Sequence, residues 1–128
     1  TEYAPGRLYG MAQWITSYAT DMLRGDVAVT GGITPLLKIC HIAEGFNMKC
    51  ELHHGGNSLN NVANLHVMMA VNNCEFYEVF PCTGANKYAL VEDIEVDDKG
   101  LVYAPTAPGL GYEIDWDLVM REQTQVVS

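Results

Sequence analysis

DVAVTGGITPLLKICHIAEGFNMKCELHHGGNSLNNVANLHVMMAVNNCEFYE, residues 26–78, reads as strand end, turn, helix, strand, turn, helix and strand. Residues 22–28 are a short strand running into a flexible turn at Gly31-Gly32. Thr34 followed by Pro35 predicts a helix start, with a hydroxyl N-cap and a proline at the first helical position. Ile33, Leu36, Leu37, Cys40, Ala43 and Phe46 form one apolar stripe at helical spacing, and Gly45 with Asn47 closes it. Residues 48–52 are too short for a helix and run straight into His53-His54-Gly55-Gly56. Asn57 or Ser58 caps a second helix reaching about residue 71, with Leu59, Val62, Ala63, His66, Met69 and Ala70 on one face. The Met68-Met69 pair reads as core. After Asn72-Asn73, residues 74–80 read as the third strand.

Strand–helix units of about 25 residues, repeated, build a parallel sheet with right-handed crossovers. The expected fold class is α/β, closing either as a doubly wound open sheet or as part of a (β/α)8 barrel. Only three or four strands are present, so the chain by itself does not make a closed eight-stranded barrel. In both architectures ligands bind at the C-terminal ends of the strands. Each strand here ends on a residue capable of proton chemistry: Asp26, then His53 with His54, then Glu78.

Outside this run, residues 7–19 are helix-compatible, with Leu8, Met11, Ala12, Ile15 and Ala19 at helical spacings. Residues 91–96 and 101–103, around a turn at Asp97-Asp98-Lys99-Gly100, predict a hairpin or a pair of extended segments. A Pro/Gly loop at 105–111 leads to a short helix over 115–121. The chain opens without Met on what looks like the tail of a strand, and it reads as a fragment.

Composition narrows the function. The chain has 128 residues, 48% of them hydrophobic, which suits one modest packed domain. A formal net charge of −9 leaves no basic stripe for phosphates, so no nucleic-acid partner is expected. No apolar run approaches the ~20 residues of a membrane span and no signal peptide is visible, so no membrane partner is expected. Cys40, Cys50, Cys74 and Cys82 have wide spacings with no CxxC, which predicts reduced thiols in a cytoplasmic protein rather than disulfides or zinc. A zinc site from His53, His54 and a cysteine has little spacing support. Gly31-Gly32 sits in neither GxGxxG nor GK[ST], so no phosphate loop is read there.

The chemistry centres on Asp26 and His53, which are 27 residues apart, one strand–helix–strand step. They should stand on neighbouring strand ends, about 4.8 Å apart across the sheet. A carboxylate there fixes the tautomer of an imidazole, which suits His53 as a general base. Glu78, one step further, is an acid or hydrogen-bond donor if its neighbours raise its pKa. Glu2, at the end of a truncated strand, is a candidate ligand for a hard cation such as Mg²⁺, which usually takes more than one carboxylate. Each residue has a plainer reading: Asp26 as a turn cap, His53 and His54 as idle loop residues, Glu75 as an outward charge, His41 and His66 as packing or surface.

Taken together, Gly-Asp-Val-Ala-Val-Thr-Gly-Gly-Ile-Thr at 25–34, His53, the Glu78 of Phe-Tyr-Glu and Ala-Pro-Gly-Leu-Gly-Tyr-Glu-Ile-Asp at 107–115 carry a resemblance. In this order and spacing they resemble the C-terminal part of the enolase superfamily, closest to mandelate racemase and the acid-sugar dehydratases. The resemblance covers essentially the whole chain. It implies that Glu2 is the last of three carboxylate ligands to Mg²⁺, ending the fifth barrel strand. By the same resemblance Asp26 and His53 are the dyad ending the sixth and seventh strands. Glu78 is then the acid of the eighth, hydrogen-bonded to the substrate carboxylate, and Pro108-Gly109-Leu110-Gly111 returns to cover the capping domain. Residues 1–82 then form a partial (β/α) barrel, and 83–128 an extended segment with a short helix packing on the barrel or the capping domain. The capping domain, the other two metal ligands and the catalytic Lys of the second strand have no counterpart, so this chain alone is expected to be incomplete and inactive.

The reaction so implied is Mg²⁺-dependent removal of the proton α to a carboxylate, by His53 oriented by Asp26. Dehydration of a sugar acid to a 2-keto-3-deoxy acid is the main expectation, by an enzyme that forms a homo-oligomer at full length. Racemisation, epimerisation or cycloisomerisation is the alternative within the superfamily, and each epimerising reaction needs a second base on the opposite face. A third reading is a non-catalytic module that binds a partner or oligomerises through its open sheet edge.

Overall fold

In the computed structural model, which describes residues 3, 6–80 and 87–125, β1 (Leu23–Gly25) lies parallel to β2 (Cys50–Leu52). Leu23 pairs with Cys50, Arg24 with Glu51 and Gly25 with Leu52, and His53 N–H extends the ladder by donating to Gly25 O at 2.9 Å. Strand side chains alternate between faces. Leu23, Gly25, Cys50 and Leu52 are therefore buried on the face that α3 (Ile33–Gly45) covers, while Arg24, Glu51 and His53 share the other. Leu36, Ile39, Cys40 and Ala43 of α3 meet those strand residues, with Met11 and Ile15 of α1 (Arg7–Thr16) behind them. Contact is close enough to dictate one residue: a Cβ on Gly25 would stand 2.3 Å from Leu36 Cδ1.

Between β1 and α3 the strand expected over 22–28 stops early. The Asp26 Oδ1 accepts Ala28 N–H at 2.7 Å and Val29 N–H at 3.2 Å, capping a single helical turn, α2 (Val27–Thr30). Gly31 and Gly32, at φ 97° and 127°, then carry the chain directly into α3. Gly32 takes the N-cap position, and Thr34 falls inside the first turn rather than capping it. The two glycines reach a backbone conformation closed to most residues, and this moves the helix start one residue upstream of the predicted cap.

Residues 74–80 run beside β2 but do not form the expected strand. Cys50 N–H donates to Asn73 O at 2.9 Å. Beyond that point the Glu51 carboxylate takes the amides of Glu75 and Phe76, at 3.2 and 3.1 Å. A side chain thus occupies donors that a ladder would need.

α4 (Ser58–Ala70) is capped as predicted by Asn57, whose Oδ1 accepts Asn60 N–H at 3.0 Å. Val62 and Leu65 of α4 hold a second core with Leu90 and Ile94. The Ser58 hydroxyl reinforces it, donating to Asp93 and accepting Tyr88 N–H. Met69 faces outward, so only Met68 of that pair packs against the core. The turn at 97–100 forms, with Asp97 N–H donating to Leu101 O at 2.9 Å, but residues 91–96 and 101–103 form no strand beside it. Leu90 instead bridges Ile114, just before α5 (Trp116–Glu122). Among the described residues no helix is long and apolar enough to cross a membrane.

Candidate active site

The parallel register sets Asp26 and His53 side by side. His53 Nδ1 lies 3.0 Å from Asp26 Oδ2. Asp26 is 2% exposed, so its charge has little water and depends on donors around it. It has five. Oδ1 takes the two α2 amides, and Oδ2 takes His53 Nδ1, Asn60 Nδ2 at 2.9 Å and Asn64 Nδ2 at 3.3 Å. Burial pushes the Asp26 carboxyl up, but the bonds from His53, Asn60, Val29 and Ala28 outweigh it and hold it below the usual carboxylate range. An ionised Asp26 accepts the Nδ1 proton and leaves Nε2 of His53 with the lone pair.

The ring of His53 is a quarter exposed. Its outer edge lies over Gly55, where a Cβ would stand 2.6 Å from His53 Nε2. Gly56 does the same for Asn60, whose Nδ2 would be 2.8 Å from a Cβ there. The two glycines after the histidines thus leave room for a base and for one of the amides that hold its partner.

Glu78 reaches the same rim from the extended segment. Arg24 Nη2 donates to both of its oxygens, at 2.6 and 2.7 Å, and His54 N–H donates to Oε2 at 2.9 Å. Burial raises the Glu78 carboxyl, while the Arg24 and His54 bonds and the charges of Arg24 and His53 lower it further, and the net effect is downward. The condition for Glu78 as a proton donor, neighbours that raise its pKa, is therefore not met. In this arrangement it is an acceptor.

His54 faces away from His53, as alternation along the chain requires. It is 1% exposed, packed against Tyr77 with ring centroids 4.3 Å apart and planes tilted by 49°. Its Nδ1 meets Leu52 O at 3.2 Å. Burial pushes its pKa down to about 4, so the ring is neutral, with a buried Nε2 that finds no hydrogen-bond partner among the described residues. Its burial sets it apart from the His53 ring of the Asp26–His53 pair. His66 bonds Leu110 O at 3.0 Å and serves packing, as predicted.

Glu2 lies outside the described residues. Among the described residues no three or more His, Cys, Asp or Glu side chains gather as a metal would need, and the carboxylates of Asp26 and Glu78 are already taken up by donors. The described residues therefore do not by themselves form a magnesium site. Cys40, Cys50 and Cys74 are free thiols, and Cys82 lies outside the described residues. The sequence reading missed Arg24, Asn60 and Asn64. The asparagines did leave a signal, since residues four apart on a helix share a face and that face is the one turned to the strand ends.

The model of the enolase C-terminal domain-like family matches residues 2–118. The chain belongs to that family. Arabinonate dehydratase of Saccharolobus solfataricus is 32% identical over 96 residues, 75% of this chain and 26% of that protein. The structure of D-glucarate dehydratase from Agrobacterium tumefaciens, complexed with magnesium, superposes with a TM-score of 0.79 at 36% identity, covering 94% of this chain and 32% of that one. A Pseudovibrio structure named for the mandelate racemase/muconate lactonizing enzyme group gives a TM-score of 0.87 at 34% identity, over 98% and 33%. The chain thus spans a quarter to a third of these relatives. Its two parallel strands and covering helices are part of the family's barrel domain.

Proposed function

We propose that this chain supplies the general base of a sugar-acid dehydratase of the enolase superfamily. The observation that carries the proposal is the Asp26–His53 contact at 3.0 Å, on adjacent parallel strand ends, with the Nε2 edge of the ring over Gly55. Asp26 holds the imidazole in the tautomer whose Nε2 can accept a proton. His53 Nε2 removes the proton α to the substrate carboxylate. The β-hydroxyl then departs as water, with proton help that the imidazolium of His53 can give, and the enol product becomes a 2-keto-3-deoxy acid. Glu78, ionised against Arg24, accepts from a substrate hydroxyl rather than donating to its carboxylate. Relatives named as arabinonate and D-glucarate dehydratases support dehydration over racemisation.

Magnesium belongs to the proposal through Glu2, the ligand of this chain suggested by the resemblance. The division into a partial barrel at 1–82 and an extended segment at 83–128 is proposed on the same ground, as is homo-oligomerisation at full length. A cytoplasmic setting is proposed from the wide cysteine spacing, which contains no CxxC.

The test is dehydration of a panel of sugar acids with Mg²⁺, detecting 2-keto-3-deoxy products, by the protein expressed from its full reading frame. His53→Asn should abolish turnover. Solvent-deuterium exchange at the α carbon that needs His53, without any keto product, would move the reading to a racemase or epimerase. If neither signal appears with any acid, the dyad is structural and the binding-module reading takes its place.

A further inference from the structure

Asn64 is fully buried on α4, and its side chain touches three separate parts of the dyad's support. Oδ1 accepts Val27 N–H at 2.8 Å, at the start of α2. Nδ2 donates to His53 O at 2.9 Å, just past β2, and to Asp26 Oδ2 at 3.3 Å, just past β1. A primary amide offers two donors and an acceptor in one rigid plane. No apolar side chain of that size replaces more than its volume. Asn60, one turn earlier, adds a donor to the same Asp26 oxygen at 2.9 Å.

We propose that Asn64, seconded by Asn60, is the positioning residue of the Asp26–His53 pair. The inference rests on the reading above that His53 is the reacting base. Asn64 binds the backbone of one member and the carboxylate of the other, so it sets their relative position, the quantity on which a directed proton transfer depends. The asparagine donors are also uncharged. They stabilise ionised Asp26 without supplying a fixed positive charge that would compete with a protonated His53. When His53 gains its second proton, the new positive charge finds an anion already in place, and Asp26 need not take that proton.

Three variants test this in the protein expressed from its full reading frame: Asn64→Leu, Asn60→Ala and, as a control on the same helix, Asn61→Ala. Two readouts are taken, the imidazole ¹⁵N signals of His53 by NMR and the separate kcat and KM for the best acid. Asn64→Leu and Asn60→Ala should replace the single Nδ1–H tautomer of His53 with a mixture. Each should lower kcat, by about 10- to 100-fold for Asn64→Leu, with KM changed less than about threefold. Asn61→Ala should leave both unchanged. A purely structural role would lower the melting temperature of all three and leave the His53 signals and kcat intact, which overturns the proposal. Loss of the His53 signal in Asn61→Ala would overturn it too, by showing general loosening. If Asn64→Leu does not fold, Asn60→Ala decides, because that side chain is half-buried and its loss removes one bond. If the wild type neither dehydrates any acid nor exchanges an α-proton, the dehydratase reading fails, yet the NMR comparison still decides whether the asparagines position the pair.

Discussion

Gly55 has no side chain where one would press on the nitrogen proposed to do the chemistry. The obstacle a methyl group would meet is the movable end of His53, 2.6 Å away, so the fold can absorb Gly55→Ala by turning the ring aside. The dyad cannot. Gly55→Ala is expected to keep the melting temperature within a few degrees and to cost about 100-fold in kcat/KM, measured on the same acid as His53→Asn. His54 makes the complementary prediction, in stability. Its ring is neutral in the fold with a pKa of about 4, whereas in the unfolded chain it takes a proton near pH 6.5. The unfolded state thus binds more protons between those values, and stability is lost as pH falls from about 6.5 towards 4. The loss is on the order of 3 kcal/mol, and urea midpoints from pH 7 to 4.5 should show it. His54→Leu should flatten that slope. Asp26 and Glu78, both held low, contribute their own losses at more acid pH. At this scale the sequence named Asp26 and His53 correctly as neighbours. It could not show that Glu78 is ionised, because that depends on Arg24, 54 residues away.

Elements were legible where their signals are local. The cap of α4 was read from residue type and position as Asn57 or Ser58, and Asn57 makes it, satisfied by an amide three residues on; the short last helix was read, and the structure shows Asp115 capping it in the same way. Asn57→Ala should cost about 1 kcal/mol by chemical denaturation. Thr34 misled because a hydroxyl before proline is a good cap in isolation, and Gly32 was free to take the cap position two residues sooner. The strand at 74–80 was misread for a different reason. Its apolar, β-branched and aromatic content suits a strand, but the Glu51 carboxylate takes its amides at Glu75 and Phe76, and no propensity encodes that. Gly25 shows how tightly two elements can constrain one position. Gly25→Ala should destabilise by about 1–3 kcal/mol through overpacking against Leu36, visible as a lower melting temperature.

Across the molecule, two cores meet along α4. One joins α1, α3 and the two strands, and the other pins the segment around Leu90 and Ile94. Met68 packs against both, and Ser58, at the start of α4, ties the second segment to the helix through Asp93 and Tyr88. Ser58→Ala would leave the Tyr88 amide without that acceptor and is expected to cost about 1–3 kcal/mol. Amide hydrogen exchange should quicken in residues 88–94 before it changes in α3 if the two cores open separately. The sequence by itself determined the α/β class, the strand–helix period and the strand-end placing of Asp26 and His53. All of these follow from periodicity and from the geometry of parallel crossovers, which act over short stretches of chain. Only the tertiary structure decided the ionised state of Glu78, the retreat of His54 into the core and the asparagine bridge from α4. Each of those depends on which distant donors and which burial surround a group, and the free energy of a charge or an unpaired polar atom is set by that surrounding rather than by its neighbours in sequence.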